Sequence, residues 1–264
     1  MIRAKKSLGQ NFLIDKNILR KIISLGKIEH SDNILEIGSG TGNLTKFFLE
    51  KKFNKLILIE KDKRLIINLK LDLTNIKNIQ FINDDILKLD LEKIISGNMI
   101  IFGNLPYNIS SQILIQLIKF KNWLPKYKKL VLMFQKEVGE KIISNFGNKN
   151  YSRLGIISKF RLKVKKRFSV SKNSFYPKPK VDSMVIIFEP WENKIKIDNL
   201  NNLEKITHEF FSKKRKKIKK TFQKIFKDWE KAAKDLKIDI NLRPQNLSEN
   251  QYYEITSYYE KIKF

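Results

Sequence analysis

The sequence predicts an α/β fold in which helices cover a parallel sheet, followed by a small helical domain. Three observations support this prediction. From Asn33 onward, short runs of β-branched apolar residues alternate with amphipathic helical segments, a pattern typical of strand–helix–strand units. A glycine-rich turn follows the first of these runs, and the strand signal stops beyond Pro190.

The elements follow in order along the chain. Ahead of the first strand, apolar residues recur at helical spacing and predict an N-terminal helix on the sheet; they are Ile14, Ile18, Leu19, Ile22 and Ile23. Strands are then predicted over 33–37, 55–59, 78–82, 99–102 and 129–134, with helices over 43–52, 63–71 and 111–120. Two later strands, 164–170 and 181–188, flank a turn-rich segment at 174–179.

The last quarter of the chain is helical in period, over residues 203–211, 216–229 and 249–262. We therefore predict two domains with a boundary close to Glu189. The first, 1–188, carries the sheet, and the second, 189–264, is all-helical.

The charge of the chain is strongly unbalanced. Of its 264 residues, 54 are Lys or Arg and 27 are Asp or Glu, so the formal net charge is +27. Such a charge favours a polyanionic partner, with nucleic acid as the first candidate. The abundance of Lys, Ile and Asn also fits codons rich in A and T, so a second interpretation is that part of the charge only reflects codon usage.

The residue types that are missing narrow the chemistry. The chain has no cysteine, which excludes disulfides, thiolate metal sites and cysteine nucleophiles. Its only histidines are His30 and His208, too few for a multi-histidine metal site and hard to combine into a catalytic triad. No apolar run approaches the roughly 18 residues of a membrane span, and the first ten residues lack the apolar stretch of a signal peptide. We therefore expect a soluble cytoplasmic protein without a bound metal.

A glycine-rich turn, Gly38-Ser39-Gly40-Thr41-Gly42, follows the first strand. Glycines at this point let the backbone approach a ligand closely and present amide N–H groups to it. The dinucleotide fingerprint would need its third glycine at position 43, which is Asn43. A pyrophosphate cradle is therefore disfavoured.

Carboxylates close the next two strands. Glu60 ends the second strand, where it can accept hydrogen bonds from ribose hydroxyls, and Asp84 or Asp85 ends the third and can accept from an adenine amino group. Together with Gly38, these strand ends predict a nucleoside pocket without phosphate binding, which fits S-adenosylmethionine. The competing interpretation is a tight turn with unrelated surface acids.

The fourth strand ends in Asn104-Leu105-Pro106-Tyr107, which suits methylation of an adenine amine. That amine is a poor nucleophile because its lone pair is delocalised into the ring. The side-chain oxygen of Asn104 and the carbonyl of Leu105 can accept its two protons and free the lone pair to attack a sulfonium methyl in line. Pro106 holds the turn rigid, and Tyr107 offers a ring for the extruded base. The alternative is a strand entering a helix at a proline, with Tyr107 in the core.

Taken in order, the motifs resemble those of the KsgA-type ribosomal RNA small-subunit adenine dimethyltransferases over nearly the whole chain. The matching pieces are KSLGQNFL at 6–13, the segment 36–42, Glu60, Asp85, the segment 104–107 and FYPKPKVDS at 175–183. The resemblance implies a Rossmann-like class I methyltransferase sheet with a small C-terminal helical domain. It implies dimethylation at N6 of two adjacent adenosines near the 3′ end of small-subunit (16S) rRNA, within a pre-30S particle, coupled to subunit maturation.

The resemblance also implies roles for individual residues. Six of them would line the S-adenosylmethionine site: Asn11, Leu13, Gly38, Glu60, Asp85 and Asn104. Tyr107 and Phe175 would sandwich the target adenine between their rings. We expect the protein to act as a monomer.

Two basic stretches contain no acidic residue: 159–180 and 212–227, the second of which includes the lysine-rich block 213–220. Such stretches can bind phosphate oxygens of RNA. They can equally be solvated lysine-rich faces.

Three classes of function fit these observations. The first is the small-subunit rRNA dimethyltransferase. The second is a related enzyme, either a large-subunit rRNA adenine methyltransferase or a DNA N6-adenine methyltransferase, the latter usually having Asp where Asn104 stands. The third is a non-catalytic assembly or transcription factor, against which the intact Asn104 and Tyr107 argue.

Overall fold

The computed structural model of the protein describes residues 4–262, apart from the side chain of Lys6. The chain forms two compact units. The first consists of the residues up to Gly139 together with Lys163–Pro190, and the second of Glu140–Leu162 together with the residues from Trp191 onward. The outermost residues of the two predicted domains, 1–3 and 263–264, lie outside the described residues.

The first unit is built around a seven-stranded sheet. Its strands are β2 (Asn33–Ile37), β3 (Lys55–Ile59), β4 (Ile79–Ile82), β5 (Met99–Asn104), β6 (Tyr127–Gln135), β7 (Leu162–Val170) and β9 (Ser183–Pro190). Their order across the sheet is β4-β3-β2-β5-β6-β9-β7, with β9 antiparallel to β6. The strands from β4 to β6 are parallel, and every residue of β2 is buried, as expected where both faces of a sheet are covered. The predicted α/β fold is confirmed.

Two short strands stand apart from this sheet. β1 (Phe12–Leu13) and β8 (Phe175–Tyr176) pair antiparallel, with Phe12 opposite Tyr176 and Leu13 opposite Phe175. The sequence does not predict this pair, because two residues are too few to show a period of alternation.

The helices of the first unit include α1 (Lys16–Gly26), α2 (Thr45–Phe48), α3 (Lys63–Asp72), α4 (Leu91–Ile94) and α5 (Ser110–Ile118). The carboxylate of Asp15 caps α1 by accepting from the N–H groups of Asn17 and Ile18, as is usual for an N-cap aspartate. The prediction of a helix over 43–52 is wrong in length. The first predicted residues instead form the turn after Gly42, where the side chain of Asn43 donates to the carbonyl of Leu13 at 2.8 Å. The last predicted residues follow a turn from Phe48 to Lys51.

The helices of the second unit are α7 (Arg153–Arg161), α8 (Leu200–Phe211), α9 (Lys219–Ile225), α10 (Trp229–Asp235) and α11 (Glu249–Ile262), while α6 (Lys136–Ile143) extends into it from the first unit. Its core is aromatic: the ring of Phe210 lies 5.8 Å from that of Phe222 and 5.4 Å from that of Tyr252. The predicted helix 216–229 is wrong as a single element. The extended backbone of Phe226 ends α9, and Asp228 caps a new helix by accepting from the N–H of Lys231.

The division of the chain differs from a single boundary at Glu189. Residues 140–162, which carry α7, belong with the C-terminal helices. The reason is packing: the ring of Phe160 lies 4.9 Å from that of Tyr253, whose hydroxyl donates to the carbonyl of Ile156. Within residues 4–262, no helix is long and apolar enough to cross a membrane.

Candidate active site

A cleft opens at the carboxyl ends of the parallel strands. The chain runs outward from β2 through β3 to β4 on one side, and from β5 to β6 on the other, and such a change of direction leaves a crevice between the diverging loops. All predicted site residues except Leu13 and Phe175 line this cleft, namely Asn11, Gly38, Glu60, Asp85, Asn104, Leu105, Pro106 and Tyr107.

The glycine-rich turn forms one wall of the cleft. Gly38 and Gly40 have φ angles of +74° and +57°, a region that residues with a Cβ rarely adopt. The N–H of Gly38 donates to the carbonyl of Ile59 at 2.8 Å, which ties the turn to β3. A Cβ on Gly40 would lie 3.1 Å from the ring of Phe12. The turn therefore needs glycine both for its backbone angles and for space.

Glu60 holds the end of β3 against this turn. Its carboxylate accepts from the N–H of Gly40 at 2.9 Å and from the N–H of Asp62 at 2.8 Å, one bond to each oxygen. Burial raises the pKa of Glu60, and these two backbone hydrogen bonds partly oppose the rise. Because a carboxylate oxygen has two lone pairs, each can still accept a hydroxyl from a ligand in the cleft.

Asp84 and Asp85, left as alternatives by the strand pattern, both line the cleft. The carboxylate of Asp84 accepts from the N–H of Asp85 at 2.6 Å. Asp85 caps the turn after it, and its other oxygen lies 2.8 Å from the ammonium of Lys61. This ammonium lowers the pKa of Asp85, so the carboxylate is charged and already has a cationic partner.

The side chain of Asn104 has a fixed orientation. Its Nδ2 donates to the backbone carbonyl of Asn11 at 2.9 Å. A carbonyl can only accept, so the amide nitrogen must face Asn11 and the amide oxygen must face away from it. That oxygen accepts no hydrogen bond from the described residues, and Asn104 lines the cleft. The site thus offers a free acceptor where the predicted chemistry needs one.

Tyr107 lies half-buried in the same cleft. Its hydroxyl is 2.6 Å from the hydroxyl of Ser183, and either can donate. Burial raises the pKa of Tyr107, so the phenol stays protonated at neutral pH. Leu105, which precedes it, is 1% exposed, and Ser110 donates to the carbonyl of Tyr107 at the start of α5. Tyr107 is therefore held at both its backbone carbonyl and its side-chain hydroxyl.

Leu13 and Phe175 lie elsewhere. Leu13 lines a smaller inner cavity that adjoins the cleft. Phe175 is 3% exposed and belongs to the main apolar core, opposite Leu13 in the β1–β8 pair. The structure places neither side chain in the cleft with Tyr107.

The inner cavity contains polar groups to which the sequence pattern assigns no role. It shares Phe12, Gly38, Gly40 and Asn104 with the cleft and is also lined by Glu36 and Ser39. Burial raises the pKa of Glu36 to about 8, and the hydroxyl of Thr45 donates to its carboxylate at 2.6 Å. A signal was available for Glu36, because it is the one charged residue in the buried strand N-I-L-E-I.

These residues fit S-adenosylmethionine. The turn at Gly38 and Gly40 leaves room that a Cβ would reduce, and Glu60 suits a ribose diol. The hydroxyl of Ser39 is buried without a hydrogen-bond partner among residues 4–262, and a ligand's polar end can satisfy it. The carboxylates of Glu60 and Asp85 suit a ligand that carries sulfonium and ammonium charges.

Known proteins resemble this chain over almost its whole length. A family model described as "Ribosomal RNA adenine dimethylase" matches residues 1–261. A relative named ribosomal RNA small subunit methyltransferase A, from Pelagibacter ubique (strain HTCC1062), is 47% identical over 262 residues, which are 99% of either chain. The crystal structure of a dimethyladenosine transferase from Plasmodium falciparum has a TM-score of 0.79 at 31% identity and covers 96% of this chain and 98% of that one. The structure of 23S rRNA methyltransferase ErmE, at 20% identity and a TM-score of 0.68, covers 96% and 100% and shares the fold.

Proposed function

The chain belongs to the ribosomal RNA adenine dimethylase family, and from this premise we propose that it dimethylates N6 of two adjacent adenosines near the 3′ end of small-subunit (16S) rRNA. S-adenosylmethionine is the cofactor and, when bound, supplies the electrophilic methyl group. The observation that carries the proposal is the fixed amide of Asn104, whose oxygen is a free acceptor in the cleft.

The cofactor residues follow from the geometry and the family resemblance together. Glu60 would accept from the ribose hydroxyls, and Asp85 from the adenine amino group of the cofactor. Gly38 and Asn11 form the walls beside Asn104, and Leu13 would contribute an apolar surface from the inner cavity.

The chain's own part in the chemistry is to bind and orient the target amine. The Oδ1 of Asn104 and the carbonyl of Leu105 accept its two protons, so that the nitrogen lone pair no longer conjugates with the ring. Pro106 keeps these two acceptors close together because its φ is fixed. Held in this way, the amine would present its lone pair to the methyl group that S-adenosylmethionine supplies, and its proton would pass to solvent. No side-chain base is needed, which suits a cleft without histidine.

Tyr107 would stack on the extruded adenine, with Ser183 holding its ring in place. Phe175 is the proposed second ring. Its side chain is 3% exposed and packs in the apolar core, so it would reach the base only if that side chain moved out of the core. The pocket must readmit a monomethylated amine, which still has one proton for one of the two acceptors.

The partner is ribosomal RNA. From the family resemblance we extend this to a pre-30S particle as the substrate, and we expect a monomer that acts in the cytoplasm. The basic block 213–220 of the second unit would bind phosphates of the RNA.

Transfer of labelled methyl groups tests the proposal. Small subunits from a strain that lacks the modification should accept label as dimethyladenine near the 3′ end of 16S rRNA, while large subunits and duplex DNA should not. Label in large-subunit rRNA or DNA would support one of the related enzymes instead. Absence of label from all three substrates would support a non-catalytic factor.

A further inference from the structure

Tyr176 is the most exposed aromatic ring next to the active site. Its exposed fraction is 59%, whereas the neighbouring Phe175 is 3% exposed. Its hydroxyl makes no hydrogen bond to any residue in the range 4–262. A ring this exposed and without a hydrogen-bond partner stabilises the fold little. Stability therefore does not explain why an aromatic residue stands at position 176.

The β1–β8 pair sets the direction of this ring. Residues directly opposite in an antiparallel pair point to the same side of it. Leu13 and Phe175 are opposite and both buried, so they point to the core. Phe12 and Tyr176 are opposite and point to the other side. The ring of Phe12 lies against Gly40 and lines the cleft, so Tyr176 lies on the side of the pair that faces the cleft.

The segment after Tyr176 returns to the same cleft. It runs from Tyr176 to Val181 and is here named the 176–181 loop. Ser183, just beyond it, bonds the hydroxyl of Tyr107 at 2.6 Å. One end of the loop is therefore paired with Phe12 and the other lies beside the ring proposed to hold the target base. This places the loop at the border of the target site.

The loop also carries the right charge for a nucleic-acid strand. Lys178 and Lys180 are exposed, and the segment contains no acidic residue. The acid that follows, Asp182, has its carboxylate engaged with the backbone N–H of Lys172 at 3.0 Å. An exposed aromatic ring beside free lysines is the combination that binds single-stranded nucleic acid, through stacking and phosphate contacts.

We propose that Tyr176 is a stacking site for the nucleotide next to the target adenosine, with Lys178 and Lys180 binding the phosphates on that side. This inference rests on the proposed function, in which the two target adenosines are adjacent. While Tyr107 stacks on one base, Tyr176 stacks on its neighbour.

Steady-state methyl transfer to unmethylated small subunits tests the proposal, with wild type, Tyr176→Ala, Tyr176→Phe and the control Phe146→Ala. Phe146 is an aromatic residue of similar exposure, 53%, in the other compact unit. We expect Tyr176→Ala to raise KM for the subunit by about five- to a hundredfold, the usual effect of losing one base–aromatic stack. kcat and the affinity for S-adenosylmethionine should stay within about twofold of wild type. Tyr176→Phe and Phe146→Ala should behave as wild type.

Other outcomes would overturn the proposal. An unchanged KM for Tyr176→Ala means that the ring does not bind RNA, and an equal loss in Tyr176→Phe means that the hydroxyl acts rather than the ring. A weakened cofactor affinity means that Tyr176 acts through Phe12. If wild type itself transfers no methyl group, the proposed function fails and this inference fails with it.

Subunits reconstituted with an abasic nucleotide beside the target identify the stacked base. Wild type should lose affinity for them, and Tyr176→Ala should lose no more than it has already lost. Independent, additive losses would place the ring on a different part of the RNA and contradict the assignment.

Discussion

The side-chain amide of Asn104 donates to the backbone carbonyl of Asn11 at 2.9 Å, across a separation of 93 residues in the chain. This one bond decides which end of the amide faces the cleft, because a carbonyl accepts only from the nitrogen. The segment before β1 therefore takes part in the chemistry of a residue at the end of β5.

Replacement of Asn104 should remove methyl transfer and leave RNA binding nearly unchanged, because its oxygen acts on the amine in the transition state. We expect Asn104→Ala to lower kcat by at least about a hundredfold, as removal of a preorganised polar contact does elsewhere. Asn104→Asp should also fail, since a carboxylate cannot donate to Asn11. Rates and filter-binding affinities for unmethylated small subunits measure this, with Asn75→Ala, at an exposed residue outside the cleft, as control.

The products of wild type give a second check on the same chemistry. A monomethylated amine still has one proton for one of the two acceptors and can react again, so exhaustive turnover should yield dimethyladenine. Monomethyladenine as the final product would contradict the role given to Asn104 and Leu105.

The parts of the site that were predictable are those that the strand pattern positions. Glu60 and Asn104 each end a buried parallel strand, and parallel strands deliver their carboxyl ends to one edge of a sheet. The partners of these residues were not predictable. Ser183 and Tyr107 are 76 residues apart, and no local period relates them. Likewise, the sequence pattern predicts no helix at α7, and the packing of α7 on Tyr253 depends on the complete tertiary fold.

Glu60 should anchor the cofactor, because its two oxygens face the turn and retain free lone pairs. We expect Glu60→Ala to weaken S-adenosylmethionine binding by about 1 to 3 kcal/mol, the cost of losing charged hydrogen bonds. Gly40→Val should abolish binding, because the new Cβ would press on Phe12 and because valine disfavours the positive φ of this position. Titration calorimetry measures both, and unchanged cofactor affinity in the two variants would refute the assignment.

Lys61 should compete with the cofactor for Asp85, because its ammonium lies 2.8 Å from the carboxylate. The lysine side chain is 56% exposed, and such surface pairs contribute about 0 to 1 kcal/mol. We therefore expect Lys61→Met to tighten S-adenosylmethionine binding by up to about fivefold. Lys63→Met, at an exposed lysine nearby, is the matched control. Weaker binding in Lys61→Met would mean that the ammonium assists the cofactor instead.

The buried carboxyl of Glu36 should make the stability of the protein depend on pH. Its pKa rises from 4.5 to about 8 in the folded state, so between these values the folded protein holds a proton that the unfolded chain has released. The free energy of unfolding should therefore fall as pH rises through this window, by up to about 1.4 kcal/mol per unit. Glu36→Gln keeps an acceptor for Thr45 and removes this fall.

Urea unfolding without cofactor at pH 5 to 8.5 compares wild type with Glu36→Gln. The stability advantage of the variant should be small at about pH 5 and largest near pH 8. The exposed Glu50→Gln should show no such trend. A constant difference between wild type and Glu36→Gln across the range would contradict a protonated Glu36.

The lysine-rich block 213–220 of the second unit should supply affinity for RNA rather than chemistry. Four of its side chains are exposed and make no hydrogen bond or ion pair with the described residues: Lys213, Arg215, Lys216 and Lys220. If each neutralises a phosphate, changing all four to Gln should flatten the slope of log affinity against log salt by up to roughly 3. kcat at saturating subunit concentration should be almost unchanged, because Asn104 and the cleft belong to the first unit.

A second quadruple variant separates local contacts from overall charge. It changes Lys194, Lys196, Lys231 and Lys234 to Gln, which are exposed lysines of the same unit outside the block. Both variants lose four positive charges, so a purely long-range attraction would flatten the salt slope equally in the two. A slope that flattens only in the first variant assigns the phosphates to the block. Equal flattening in both variants would mean that the overall charge attracts the RNA. Slopes that match wild type in both would mean that these lysines reflect codon usage, and the RNA contact would then move to the basic stretch 159–180.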